Sequence, residues 1–163
     1  MLQNESTPEV NRSEPRWRLA GRVDSLLREL AGEQYSPVGI DEDGDHYFQV
    51  LWSGVPVSIG VEQFLDEAIV TGIHIVGLRA TDEDAVLDYV AGRNAEIRVG
   101  RVWACGDGVV FTHHLFESGV DRAGLRHLLN LLASESLTYG ELQARTGALS
   151  VVDAAALHRL GGE

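Results

Sequence analysis

Residues 97–116, IRVGRVWACGDGVVFTHHLF, decide how the rest of the chain is read. Gly106-Asp107-Gly108 supplies the positive-φ positions of a tight primed turn at little steric cost, so the stretch predicts a β-hairpin from Ile97 to Phe116. On its incoming side Ile97, Val99 and Arg101 alternate with Arg98, Gly100 and Val102, in a run dominated by β-branched and aromatic residues. On its outgoing side Val109, Phe111 and His113 share one face, and Val110, Thr112 and His114 the other. Neither face is cleanly polar, so both are expected to be partly covered. Such a hairpin belongs at one edge of a larger antiparallel sheet, with helices before and after it to cover one side.

The sequence upstream supplies the remaining strands. Tyr47–Trp52 reads as a strand, and Ser53-Gly54 as a tight connection into Val55–Val61. There Val55, Val57, Ile59 and Val61 face one way and Pro56, Ser58 and Gly60 the other, the alternation of a half-buried antiparallel strand. Pro56 lacks a backbone donor and suits a strand start or an open edge. A polar loop around Glu62–Glu67 leads to a third strand, Ala68–Leu78. Before these, Trp17, Ala20, Val23, Leu26, Leu27 and Leu30 recur at helical spacing, with Gly32 ending the helix. Pro37 and Gly39 then read as a turn, and Asp41–Asp45 as an acidic loop.

Thr81-Asp82-Glu83-Asp84 reads as a capping box for a second helix, whose stripe is Val86, Leu87 and Val90 and whose exit is Arg93-Asn94. After the hairpin a third helix opens near Ser118–Asp121, with Leu125, Leu128, Leu129 and Leu132 at i, i+3, i+4 and i+7. Two short helices are expected to finish the chain, from Thr138 to Gly147 and from Ser150 to Gly161-Gly162. Residues 1–15 are polar, carry two prolines and read as a mobile tail, which leaves 16–163 as one domain. The expected class is α+β: a five-stranded antiparallel sheet with helices packed on one face.

Composition narrows the function. The chain has 163 residues, 44% of them hydrophobic, enough for a sizeable core. Its formal charge is −12, and all 13 cationic residues are arginine. A nucleic-acid or anionic-membrane partner needs positive potential at the contact, so both are disfavoured, and basic partners are favoured. One cysteine, Cys105, excludes an internal disulfide and a cysteine-rich zinc site. No apolar run approaches the ~20 residues of a bilayer span. The N-terminus lacks the basic-then-apolar order of a signal peptide, which sets the expected location as the cytoplasm.

The α-β-β-β-α-β-β-α order, the acidity, and the run from Arg93-Asn94 through Ile97–Leu115 into Leu125–Leu132 resemble the type III secretion chaperone-like superfamily, and within it the YbjN-type branch. The resemblance covers Trp17–Ala133 and extends toward Asp153–Gly162. It implies a fold that commonly dimerises. It also implies, from the secretion chaperones, a role in holding a partially unfolded client segment against exposed apolar surface. It brings no catalytic residues and no cofactor.

Motifs for chemistry are each outweighed by a plainer reading. Asp41, Asp43 and Asp45 begin like a calcium loop, but His46 stands where glycine is needed and Trp52 where a bidentate glutamate is needed. His113 and His114 are strand neighbours and point to opposite faces, so both rings cannot easily chelate one ion. Cys105 sits beside Asp107, which does not lower a thiol pKa. Phosphate-binding loops and a G-x-S-x-G elbow are missing.

Most large aromatics, Trp52 and Phe116 among them, are expected in the core. One or two are expected to line a partner surface, with arginine neighbours; Arg98, Arg101, Trp103 and Phe111 are the candidates. The leading functional reading is a non-enzymatic, homodimeric protein-binding module without metal or cofactor. One alternative is a small-ligand or metal-dependent enzyme using His46, His74, His113 or His114 with acids of the 41–45 loop. Another is a structural subunit of a larger complex.

Overall fold

The computed structural model describes residues 15–79, 83–105, 108–146 and 148–151, with side chains described for 15–74, 84–104, 109–136, 138 and 139. Helix α1 (Pro15–Ala31) opens on a proline, whose missing N–H is one no helix start can use, and buries Leu19, Ala20, Val23 and Leu27. Gly32, at φ 53°, turns the chain out of the helix through a short 3₁₀ turn. Strands β1 (Tyr35–Ile40), β2 (His46–Trp52), β3 (Val55–Phe64) and β4 (Glu67–Arg79) follow as a meander. Helix α2 (Glu83–Glu96), the hairpin of β5 (Arg101–Cys105) and β6 (Gly108–Phe116), helix α3 (Arg122–Thr146) and a short β7 (Ala148–Val151) complete the order.

The strands form one antiparallel sheet in the order β1-β2-β3-β4-β6-β5, with β7 paired to β4. Val76 and Gly77 of β4 pair with β6 on one side, so β7 lies on the other, where β3 pairs only as far as Ile73. Ser53 (φ 52°) and Gly54 (φ 78°) form the expected tight turn, and the pairing of Trp52 with Val55 leaves room for only those two residues.

Cross-strand pairing sorts the side chains by face. Val50, Val57, Phe111 and Val102 share one side with Phe48, Ile59, His46, Val61 and Val70, and all but His46 belong to the hydrophobic core. The helices rest on this side. Trp17 meets His46 edge-on at 4.5 Å, Trp52 Nε1 donates to Asn130 Oδ1 at 2.8 Å, and Gly72 lies against Leu128 and Leu132. Leu125, Leu128, Leu129 and Leu132 are fully buried along α3 as their spacing predicts, each contributing about 1.5–3 kcal/mol. The Asp121 carboxylate accepts the Gly124 N–H and its carbonyl the Leu125 N–H, which starts that helix.

Several expectations are corrected. Among the described residues the sheet has six strands along its path and a seventh paired to β4, not five. The added edge strand β1 hides in a stretch whose Pro37 and Gly39 read as a turn. They occur in a strand because it is an edge with a bulge between those two residues. The polar loop at Glu62–Glu67 is instead the continuation of β3 and β4, joined by Leu65-Asp66 with Leu65 at φ 54°.

The hairpin starts at Arg101 rather than Ile97. The Ile97 N–H still bonds to the Arg93 carbonyl, and Gly100 (φ 82°) makes the bend. Asn94 is not a left-handed exit but an interior residue of α2. Its side-chain amide donates to the Val102 carbonyl (2.6 Å) and accepts the Val102 N–H (2.9 Å), as a neighbouring strand would.

The expected break at Thr138 is absent, and α3 is continuous to Thr146. The Thr138 hydroxyl bonds back to the Glu135 carbonyl, as Ser134 and Ser136 bond to Leu131 and Ala133, so no cap forms. The stretch after it begins as β7 rather than a helix. Residues 1–14 of the expected tail, 81 and 82 of the expected capping box, the turn residues 106–107, and the expected last helix from residue 152 onward lie outside the described residues.

Candidate functional site

The sheet face opposite the helices carries Tyr47, Gln49 and Leu51 of β2, Pro56, Ser58, Gly60, Glu62 and Phe64 of β3, Ile69, Thr71 and Ile73 of β4, then Val110, Thr112, His114 and Phe116 of β6, with Arg101 and Trp103 of β5. Among the described residues no helix packs on it. Ile69 and Val110 are buried there yet stand outside the hydrophobic core cluster. Large apolar groups remain in solvent at its two ends: Leu51 (45% exposed) and Trp103 (39%) at one, Phe64 (55%) and Phe116 (57%) at the other. One sheet thus has a dry face and a face with unspent apolar surface.

A polar stripe crosses the middle of this open face. Tyr47, Gly60, Thr71 and His114 stand in one row across four strands. The Thr71 hydroxyl lies 2.8 Å from Glu62 Oε2 and 3.0 Å from His114 Nδ1. Glycine at 60 lets two side chains approach the sheet, since a Cβ there would stand 3.3 Å from both Glu62 Oε1 and Tyr47 Cε1. The Tyr47 hydroxyl donates to Asp41 Oδ2 at 3.1 Å.

The four candidates for a partner surface are not brought together. Arg101 and Trp103 lie on the open face, pairing with Thr112 and Val110. Arg98 is exposed in the bend before β5. Phe111 faces the helices, is 2% exposed and packs in the core. Phe64, Phe116 and Leu51 were not singled out as surface groups. For Phe64 the signal was masked because the segment read as a loop.

The histidines proposed for a metal site are also separated. His74 is fully buried on the helix side; its Nδ1 lies 3.1 Å from the Pro56 carbonyl oxygen and its ring 5.7 Å from that of Tyr139. Burial holds its pKa below the usual histidine value. His46 sits under Trp17, and burial, then the nearby Arg16 guanidinium, lower its pKa too. His113 faces α3, lowered by burial and by His114 and His127, while His114 lies on the other face.

In the acidic loop Arg16 donates to the Asp43 carbonyl and Asp45 Oδ1, and Asp41 Oδ1 accepts the Asp45 N–H, so these oxygens are occupied by the fold. Among the described residues no three His, Cys, Asp or Glu side chains are placed to hold a metal ion. The Cys105 side chain lies outside them. No described helix is long and apolar enough to cross a membrane.

Helices α2 and α3 meet through a polar cluster. Arg93 makes a two-pronged pair with the buried Glu135 (3.0 and 2.9 Å), and Tyr89 shares a 2.6 Å hydrogen bond with Thr138. The arrangement is an anchor between helices, and it opens on no described cleft.

Comparison with curated proteins finds no match. Among solved structures, the Yersinia pestis type III secretion chaperone SycH, determined in complex with a stable fragment of YscM2, has a similar fold. The TM-score is 0.51 at 14% identity, over 74% of this chain and 98% of that one. The model of the YbjN family, described as "Putative bacterial sensory transduction regulator", matches residues 22–142. A match over that share of the sequence, on a fold of this order, places the chain in the YbjN family.

Proposed function

We propose that the chain is a non-enzymatic protein-binding module that works as a homodimer and holds a segment of another protein against the open face of its sheet. The observation that carries this reading is the exposure of Leu51, Trp103, Phe64 and Phe116 at the two ends of a face on which, among the described residues, no helix packs, while α1 and α3 seal the opposite face. Fixed apolar surface on a sheet gains roughly 25 cal/mol for each Å² removed from water, and a partner that covers these four exposed side chains makes that gain. The formal charge of −12 favours a partner with basic residues. The likeness to SycH, a chaperone solved with a protein fragment, supports the reading at the level of fold. Arg101 and Trp103 belong to the proposed surface, with Arg98 at its margin, and Phe111 supports the sheet from beneath.

Native capture from lysate of the source organism, with wild type beside a Trp103→Ser/Phe116→Ser double variant, tests the binding role. A protein enriched by wild type and lost with the variant is expected; equal capture by both would remove the open face from the proposal. Light scattering after size exclusion tests the dimer, and a monomer at tens of micromolar counts against it.

A further inference from the structure

The outer side of α3 departs from the charge of the chain. From Arg122 to Ala133 the helix holds Arg122, Arg126, His127 and Asn130 and no acid, in a protein whose formal charge is −12. Arg122, Arg126 and Asn130 stand four residues apart and so share one row, each about 6 Å from the next at helical rise. Ala123 and His127 form the row beside it. All five are exposed, while Leu125, Leu128, Leu129 and Leu132 take the buried side. Among the described residues these five line a cavity of about 360 Å³, which is the size of a small-molecule site.

The cavity is walled by donors. An indole N–H only donates, so the Asn130 atom that Trp52 Nε1 meets at 2.8 Å is the amide oxygen, and the amino group is left over. Among the described residues neither that amino group nor the Arg126 guanidinium has a bonded partner. Arg122 gives Nη1 to Glu29 of α1 and keeps its other N–H groups. His127 carries at least one ring N–H in either tautomer and in the cation, so its protonation state does not alter the count. The N–H groups of Gly124 and Leu125 are taken by Asp121, which makes this a set of side chains along the helix and not a helix end.

We infer that this cavity binds a small phosphate-bearing anion, with Arg126 and Arg122 as the charged donors and Asn130 and His127 as the flanking ones. Guanidinium forks match the oxygens of a phosphate, and a phosphate brings about twice the charge of a carboxylate and one more acceptor oxygen. The acidic body around the site disfavours a nucleic-acid backbone, which leaves inorganic phosphate or a small phosphate monoester. The site lies on the helix side of the sheet and stands independently of the proposed protein-binding face.

Titration of the full chain with inorganic phosphate, followed by side-chain NMR signals at constant ionic strength, tests the site. Saturable shifts at Arg126 and Asn130 are expected, with half-saturation at roughly millimolar phosphate. Acetate should bind at least about tenfold more weakly. Arg126→Gln, at an exposed position, should weaken phosphate binding about tenfold. Arg18→Gln, an exposed α1 position with the same change in charge, should leave it unchanged. A parallel titration with glycerol 3-phosphate separates the sources: tighter binding than phosphate assigns an organic phosphate, and weaker or equal binding assigns the inorganic ion.

No saturation by tens of millimolar phosphate overturns the inference, as does acetate binding as tightly. Equal losses with Arg126→Gln and Arg18→Gln overturn it too, because diffuse attraction then accounts for the binding.

Discussion

His74 and His46 each place an imidazole between the sheet and a helix, His74 under Tyr139 of α3 and His46 under Trp17 of α1. His74 Nδ1 donates to a carbonyl, while its Nε2 and the Tyr139 hydroxyl have no hydrogen-bond partner among the described residues. Both histidines have folded pKa values below 6.5 because burial disfavours the cation. Between those values and 6.5 the unfolded chain binds protons the folded chain does not, so stability is unaffected well above pH 6.5 and falls as pH drops below it. Each histidine contributes a slope of up to about 1.4 kcal/mol per pH unit. Urea unfolding at a series of pH values from neutral to mildly acidic should show the midpoint falling, and His74→Gln should flatten part of that slope.

Gly72 is a second position where one atom decides the packing. A Cβ there would meet Leu132 Cδ1 at 2.6 Å and Leu128 Cδ1 at 2.8 Å, both on fully buried side chains. Gly72→Ala is expected to lower stability by about 1–3 kcal/mol, read as a shift in the urea midpoint with unchanged slope. Sequence alone places residue 72 inside the strand Ala68–Leu78 and gives no reason for glycine there. The reason for glycine appears when α3 is laid across it.

Among the elements, α2 adds polar ties to the packing of Val86, Tyr89 and Val90 against the core. Arg93 ties it to Glu135 of α3, and Asn94 ties it to β5. The two partners of the ion pair are not equivalent, because Glu135 is 6% exposed and Arg93 21%, with Glu96 as a further partner. Arg93→Met leaves a buried carboxylate alone and should cost about 3–5 kcal/mol. Glu135→Gln leaves an arginine with Glu96 and some solvent, and should cost less. Calorimetric melting of the two variants checks the order.

Asn94 covers the outward N–H and C=O of Val102 on an edge strand. Asn94→Ala should cost about 1–2 kcal/mol, since those groups regain only water. Hydrogen exchange should also show faster exchange at the Val102 amide. The hairpin and the α3 stripe were legible from turn chemistry and spacing. Asn94's role was not, because a side chain imitating a strand is defined by what lies opposite it.

For the whole molecule, order should decline from the centre of the sheet outward. Strand β4 pairs on both sides along most of its length, while β1 is an edge with a bulge. Amide exchange is expected slowest in β3, β4 and β6 and fastest in β1, with β5 between them while Asn94 holds. Uniform protection across the sheet would contradict that gradient.

The alternation and helical spacing in the sequence determined that this chain builds an antiparallel sheet with helices on one face. These patterns are local, and each follows from the period of its element. The number of strands was decided in three dimensions. Pro37, Gly39 and the acids at 62–67 oppose strand structure on their own, and they enter it because neighbouring strands satisfy their backbone. The open face likewise exists only in the tertiary structure. Whether a residue on a sheet is core or surface depends on which side the helices choose, and that choice put Phe111 inside and left Trp103 and Phe116 in water.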